Sequence, residues 1–372
     1  MKKIIIITPT NPLDKHGHSG VVYSITNELR KKYEIIWLKP RISIIGLLCN
    51  LIPILFIYLL KALGYTISHH PAISKMYAYY LNNKLRKMKY DYILGFESMY
   101  LCFLKTKKPI FYRSDAVIHS MFNYYIYNVP QWIQNYSDKV EHETLKKCTY
   151  MFVPSQWVID EIKKWYGDID INKIKLIHSG ANMPFITSKP EPKTTLYPIK
   201  LLFIGSNPQR KGIDVAYETV KLLNEKYYIE SQLTVIGNNI DNYLNLPYIN
   251  YLGVINKNIP EQARLFEDTI KSSNWFIFPT KAECAGIVTC EVSAYGLPAI
   301  GYNTGGVSSY IQNGINGYCL PMTSTAEDYA KKIAETSLDS YIKFSSNARM
   351  LYENYYNWEV WGKKVIDLID KI

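Results

Sequence analysis

The chain is short of cysteine, and the few it has are scattered. Cys49, Cys102, Cys148, Cys284, Cys290 and Cys319 form no Cys-x-x-Cys pair and no zinc-ligand spacing, which argues against a zinc module. They read as reduced, mostly buried residues of a cytosolic protein. The glycine-rich Gly-x-Gly-x-x-Gly string is missing between Thr8 and Gly20, so a nicotinamide-dependent dehydrogenase is disfavoured. No recognised nucleic-acid motif is present. The first apolar run, Ile4 to Ile7, is too short for the core of a cleavable signal peptide and reads as a strand. Asp168-Ile-Asp170 has the letters of a metal-binding Asp-x-Asp, but it sits in a loop of the first half and is not assigned a metal.

What remains is a globular composition. Hydrophobic residues make up 48% of the 372 positions and charged ones 20%, which rules out a disordered chain and suits two domains with their own cores. The net charge of +11 is unevenly placed. Residues 1–182 hold 25 Lys and Arg against 13 Asp and Glu, whereas residues 183–372 hold 18 against 19. The first half is therefore suited to an anionic partner or an anionic membrane surface.

Strand and helix patterns alternate in both halves, predicting two doubly wound α/β domains with the substrate cleft between them. Lys2 to Thr8 is the first strand. A loop to Ser19 follows, and Gly20 opens a helix over Val21 to Lys31. Tyr90 to Phe96 is a strand leading into Glu97 and Ser98. Pro109 to Arg113 is the next, followed directly by Ser114 and Asp115. At the carboxyl end of a parallel strand, Asp115 is placed to meet an acceptor hydroxyl; the alternative is that it caps a helix from Ala116 to Tyr125. Thr149 to Pro154 is a strand and Ser155 begins a capped helix. The proline-rich stretch Met183 to Lys200 reads as a linker.

The run 42–65 is apolar and nearly bilayer-length, but Asn50, Pro53 and Lys61 interrupt it. A core helix, a helix dipping into a membrane face and a true span are all open readings.

In the second half a strand from Lys200 to Ile204 leads into Gly205-Ser-Asn-Pro-Gln-Arg-Lys-Gly212 and a helix over Ile213 to Glu225. Arg210 and Lys211 thus meet a helix start, an arrangement suited to a diphosphate. Further strands are read at Gln232–Gly237 and Ile249–Gly253. Trp275 to Pro279 is a buried strand. A polar loop with Glu283 and Gly286 follows, then a helix from Ile287 to Tyr295, a stop at Gly296-Leu-Pro298 and another strand. First-turn N–H groups at Gly286, Ile287 and Val288 can meet phosphate or sugar oxygens, with Gly286 allowing close approach. Glu291, about two turns in, can take both hydroxyls of a ribose.

Glu283, seven residues, Glu291, then Gly-Leu-Pro and Thr-Gly-Gly306 resembles the signature of retaining glycosyltransferases of family four, in a bacterial surface-polysaccharide branch. The resemblance is carried by residues 150–360 more than by 1–150. It implies the GT-B fold, with an acceptor-side Rossmann-like domain over 1–185, a nucleotide-sugar domain over 199–355 and a C-terminal helix, 356–372, crossing back to the first. It implies transfer of a hexose from a nucleotide-sugar to a glycan or lipid-linked acceptor with retention. UDP is favoured as the nucleotide, and neither metal nor another cofactor is required. By the same resemblance Ser19 and Gly20 contact the donor diphosphate or acceptor, with His18 a weaker candidate. Val254 offers its backbone to the nucleobase. Phe-Glu-Ser98 and Tyr-Arg-x-Asp115 resemble a glucuronosyltransferase branch in which the corresponding Asp is a base, and Ser114 stands where many members carry His. Family members commonly have Arg after the first Gly of the 205–212 loop; here Ser206 leaves Arg210 as the substitute. The expected setting is the cytoplasm, at the inner face of the plasma membrane, with no nucleic-acid partner. A nucleotide-sugar epimerase of the same fold and an inverting transferase using Asp115 are the alternatives.

Overall fold

The computed structural model describes residues 1–15, 20–42, 70–191 and 193–372, together with Leu55 and Leu59, which are helical and exposed. The rest of the apolar run after Ile42 lies outside the described residues, as do His18 and Ser19.

Twelve strands are described: β1 (Lys3–Ile7), β2 (Glu34–Leu38), β3 (Tyr92–Gly95), β4 (Ile110–Arg113), β5 (Tyr150–Val153), β6 (Ile174–Leu176), β7 (Ile199–Gly205), β8 (Ser231–Gly237), β9 (Ile249–Gly253), β10 (Trp275–Phe278), β11 (Ala299–Tyr302) and β12 (Gly317–Leu320). They form two parallel sheets, ordered β2-β1-β3-β4-β5-β6 and β12-β11-β10-β7-β8-β9. Parallel sheets covered by helices are buried on both faces, so their strands read as continuous apolar runs. β1 and β10 meet that description at every position but the first of β1. Both sheets reverse their strand order once, between β1 and β3 in the first and between β7 and β10 in the second.

The chain forms two compact units, Met1–His178 with Trp361–Ile372, and Ser179–Val360. Each has its own apolar core, centred on β1, β3, β4 and β5 in the first and on β7, β8 and β10 in the second. The division falls between His178 and Ser179, ahead of the proline-rich stretch. Residues 179–186 are held to the second unit: Ala181 N–H donates to the Tyr356 carbonyl at 2.9 Å, and Ile186 N–H to the Tyr352 hydroxyl at 3.0 Å. The last helix, Trp358–Ile369, starts in one unit and ends in the other. Trp358 donates its indole N–H to Asn182 Oδ1 at 2.9 Å within the second. Trp361 packs edge-on against Phe152 within the first, ring centroids 6.1 Å apart.

Two expected helices are corrected. The segment after Asp115 is not helical from Ala116 to Tyr125: only Ile118–Met121 forms a turn, with Val117 at its N-cap. Tyr125 and Ile126 N–H both fold back onto the Met121 carbonyl at 2.9 Å, and Asn123 takes a left-handed φ of 57°. The helix after Gly286 ends at Ser293, two residues early, because Leu297 N–H turns back to the Val292 carbonyl at 3.1 Å. Ser155 does stand at the start of helix Gln156–Trp165, but its side chain makes no cap bond.

Candidate functional site

Open parallel sheets bind ligands outside the carboxyl ends of their strands where the order reverses. In the second unit those ends belong to β7 and β10. The segments leaving them, 206–212 and 279–286, carry Arg210, Lys211 and Glu283.

Local chemistry fixes both segments. β7 ends at Gly205, where an added Cβ would come within 2.7 Å of Lys211 Cγ; the missing side chain makes room for the lysine. Asn207 Oδ1 accepts from Arg210 N–H at 3.0 Å and caps the short turn Pro208–Lys211. Gly212 takes a φ of 81°, and a Cβ there would lie 2.1 Å from the Pro279 carbonyl oxygen, so only glycine fits. Three hydrogen bonds then stitch the segments together. Lys281 N–H donates to the Arg210 carbonyl at 2.8 Å, Arg210 Nη1 donates to the Ala282 carbonyl, and Lys211 Nζ donates to Glu283 Oε2.

The electrostatics follow. Lys211 is only 9% exposed and its ammonium lies 4.5 Å from the centroid of the Phe278 ring, a cation–π contact. Arg210 Nη1 is 3.7 Å from the Glu283 oxygen that Lys211 holds. Burial works to raise the Glu283 carboxyl, but the Lys211 charge, their hydrogen bond and Arg210 outweigh it and hold it below its ordinary value. Burial pulls the Lys211 ammonium down against the support of Glu283. Two cations thus share one carboxylate. Such a cluster of two cations around one carboxylate is suited to receiving a further anion.

Gly286 takes a φ of 65° at the cap of helix Ile287–Ser293, and its N–H donates to Glu283 Oε1 at 3.3 Å. A Cβ there would meet nothing closer than 3.5 Å, so backbone conformation, and not crowding, requires the glycine. Ile287 and Val288 lie in the first turn, where N–H groups have no intrahelical acceptor. Glu291 is on the same helix and 5% exposed. Its Oε1 accepts from Lys257 Nζ at 2.5 Å. Lys257 belongs to the segment after β9, which opens with Gly253 at φ 70° and Val254, 66% exposed.

The second unit therefore brings Arg210, Lys211, Glu283 and Gly286 into one bonded cluster, and joins Glu291 to the segment carrying Val254. Gly20 and Asp115 belong to the first unit. Gly20 takes a φ of 81° at the cap of helix Val21–Arg30, after β1 and so at that sheet's own order reversal. Asp115 is not a helix cap; its Oδ1 pairs with Arg113 Nη1 at 2.6 Å. The Asp-x-Asp letters serve local structure. Asp168 pairs with His142 at 2.6 Å and Lys146 at 3.2 Å, and Asp170 accepts from Asn172 N–H at 3.0 Å.

Sequence reasoning missed two residues. Lys257 looks like any lysine in a polar turn, and only the fold brings it to Glu291. Glu141 lies on an amphipathic helix, Gln131–Lys147, yet is 1% exposed and accepts from Ser98 Oγ at 2.8 Å. Its spacing of four from Ser137 and from Leu145 puts it on the buried face of that helix, the signal that could have found it.

Among known proteins, residues 186–358 match the family described as glycosyl transferases group 1, which is the second unit nearly end to end. A sucrose synthase of Melioribacter roseus is 26% identical over 164 residues, 42% of this chain and 20% of that protein. The chain thus spans about a fifth of that relative. Among solved structures, the lipopolysaccharide outer core galactosyltransferase WaaB superposes with a TM-score of 0.69 at 13% identity, covering 100% of both chains. HepE of Anabaena, solved with UDP and glucose, superposes with a TM-score of 0.65 at 12% identity, again over 100% of both. The fold is GT-B, with two Rossmann-like parallel sheets.

Proposed function

We propose that the chain is a glycosyltransferase moving a hexose from a nucleotide-sugar, with UDP favoured, to a glycan or lipid-linked acceptor in cell-surface polysaccharide synthesis. The observation that carries this reading is the bonded cluster of Arg210, Lys211 and Glu283 at the order reversal of the second sheet. The family match over 186–358 supports it. So do two neighbours in fold, one a galactosyltransferase and one solved with UDP and glucose.

In this mechanism Arg210 and Lys211 take the donor diphosphate and stabilise the charge that gathers on it as the sugar departs. The N–H groups of Ile287 and Val288 add donors to the same phosphate or to sugar oxygens. Glu283 fixes the Lys211 ammonium and uses its remaining lone pairs for sugar hydroxyls. Glu291 holds the ribose, and Val254 the nucleobase edge. Asp115, from the first unit, serves the acceptor hydroxyl, and Gly20 with Ser19 meets the donor diphosphate or the acceptor. The reading assigns no role to a metal, because the two cations neutralise the leaving group. Retention follows the Glu-x7-Glu spacing, with the departing phosphate taking the acceptor proton. The excess of basic residues in the first half supports a peripheral position at the inner face of a membrane.

The test is donor binding and turnover. Thermal-shift screening against nucleotide-sugars should give a stabilised complex. Lys211→Ala should weaken donor affinity by about tenfold to a hundredfold, the scale of a charge-assisted contact. Unchanged affinity and full activity in that variant would remove the diphosphate site. Proton NMR of the product's anomeric configuration decides between retention and an inverting route through Asp115. Turnover of the donor with no acceptor present would instead indicate an epimerase.

A further inference from the structure

We infer that Lys257 is the positioning residue for the ribose carboxylate, Glu291, and thereby sets the preference for ribose over 2′-deoxyribose in the donor nucleotide. This rests on the reading of Glu291 given above.

The geometry is that of a built bridge. Lys257 Nζ has two acceptors, Glu291 Oε1 at 2.5 Å and the Asn182 carbonyl at 3.5 Å. Its ammonium also lies 5.1 Å from the centroid of the Phe266 ring. The turn that presents it is internally bonded. Ile259 N–H donates to the Asn256 carbonyl at 3.0 Å, Asn258 N–H to Asn256 Oδ1 at 3.0 Å, and Asn256 N–H to Gln262 Oε1 at 2.6 Å. Asn182 is fixed in turn by the Trp358 indole. The lysine is thus held at both ends, unlike a surface ion pair between two free side chains.

The partner is what gives the bridge its consequence. The Glu291 side chain is 7% exposed and that of Lys257 35%, so the carboxylate sits in the wall and the ammonium closes it from the solvent side. With Oε1 committed to Lys257, Oε2 is the oxygen left to accept from ribose hydroxyls, and its direction is fixed before the ligand arrives. A carboxylate that is oriented in advance discriminates strongly for a hydroxyl, because a deoxy ligand leaves a buried acceptor unpaired. A buried carboxylate that has lost its cation is uncompensated and turns toward other donors or water, which removes that discrimination.

The experiment measures binding of UDP and 2′-deoxy-UDP by calorimetry to the full chain and to Lys257→Met, Lys257→Arg and Glu291→Gln. GDP and its deoxy form are run in the same way. The parent is expected to prefer the ribose form by about tenfold, the scale of one hydrogen bond to a charged group. Lys257→Met should bring the ratio close to one, weakening the ribose form and leaving the deoxy form nearly unchanged, while Lys257→Arg retains most of the preference. A ratio unaltered in Lys257→Met would overturn the inference, and so would tighter UDP binding, which would make the lysine a competitor of the ribose. If Glu291→Gln abolishes the preference and Lys257→Met does not, only the positioning role fails. If Glu291→Gln also leaves the preference intact, or the parent binds neither nucleotide, the reading of the donor site fails with it.

Discussion

The Lys211 side chain occupies the space that a Cβ on Gly205 would need, with its Cγ 2.7 Å from that position. A strand-ending glycine and the lysine six residues later are therefore one device. The first yields room so that the second can lie across the strand end and reach Glu283.

Gly205→Ala should accordingly reproduce much of the donor-binding loss of Lys211→Ala while keeping the lysine. The added methyl meets the middle of the lysine chain, so the ammonium is displaced from Glu283. Overpacking of this kind costs about 1–3 kcal/mol of stability, and the binding loss should be about tenfold. Parallel thermal melts and nucleotide titrations check it. An alanine variant that binds UDP as the parent does would show that Lys211 can reach the same place by another rotamer.

A second glycine makes a purely structural prediction. A Cβ on Gly180 would lie 2.3 Å from Trp358 N and 2.5 Å from the Asn357 carbonyl carbon. These are backbone atoms, which cannot swing aside. They belong to the place where the second unit holds the start of the last helix, beside the Ala181–Tyr356 hydrogen bond. Gly180→Ala should lower the stability of that unit by more than an ordinary surface change, about 2 kcal/mol or above. Urea unfolding monitored on the second unit measures it. A change within about 0.5 kcal/mol would mean the two segments part easily.

Most strands of both sheets, though not β2 or β12, and the helix Ile213–Glu225 were legible because each is an apolar run or amphipathic stretch bounded by turn residues. The cluster of Arg210, Lys211 and Glu283 was legible as motif letters, but not as a bonded unit, since Glu283 lies 72 residues from Lys211 in sequence. The segment after Asp115 misled because an Asp ahead of the apolar run from Ala116 looks like a helix cap. What breaks it is the left-handed turn at Asn123, and Asn tolerates that conformation without announcing it. Lys257 was invisible for a different reason. A lysine in a polar turn carries no local sign of its partner 34 positions away.

Glu141 yields a prediction with a definite sign in pH. It is 1% exposed. Burial pushes its carboxyl up to about 7 from an ordinary value of 4.5, although Ser98, Tyr112 and the Ile118 N–H donate to it. Below pH 4.5 the group is protonated in both the folded and the unfolded chain and contributes no slope. Between that value and about 7 the unfolded chain releases its proton first, so the unfolded state binds fewer protons and folding weakens as pH rises. Above about 7 both states are ionised and the loss is complete. At about 1.4 kcal/mol per unit the whole effect is about 3 kcal/mol. Glu141→Gln replaces the carboxyl with a neutral amide of the same shape and should abolish this component. The variant is therefore expected to match the parent near pH 4 and to exceed it near pH 8. Unfolding midpoints of the two proteins, compared as a difference across that range so that other titrating groups cancel, read it directly. Parallel profiles would mean that the buried carboxyl keeps its ordinary affinity for protons, and that Ser98 and its neighbours satisfy the charge in full.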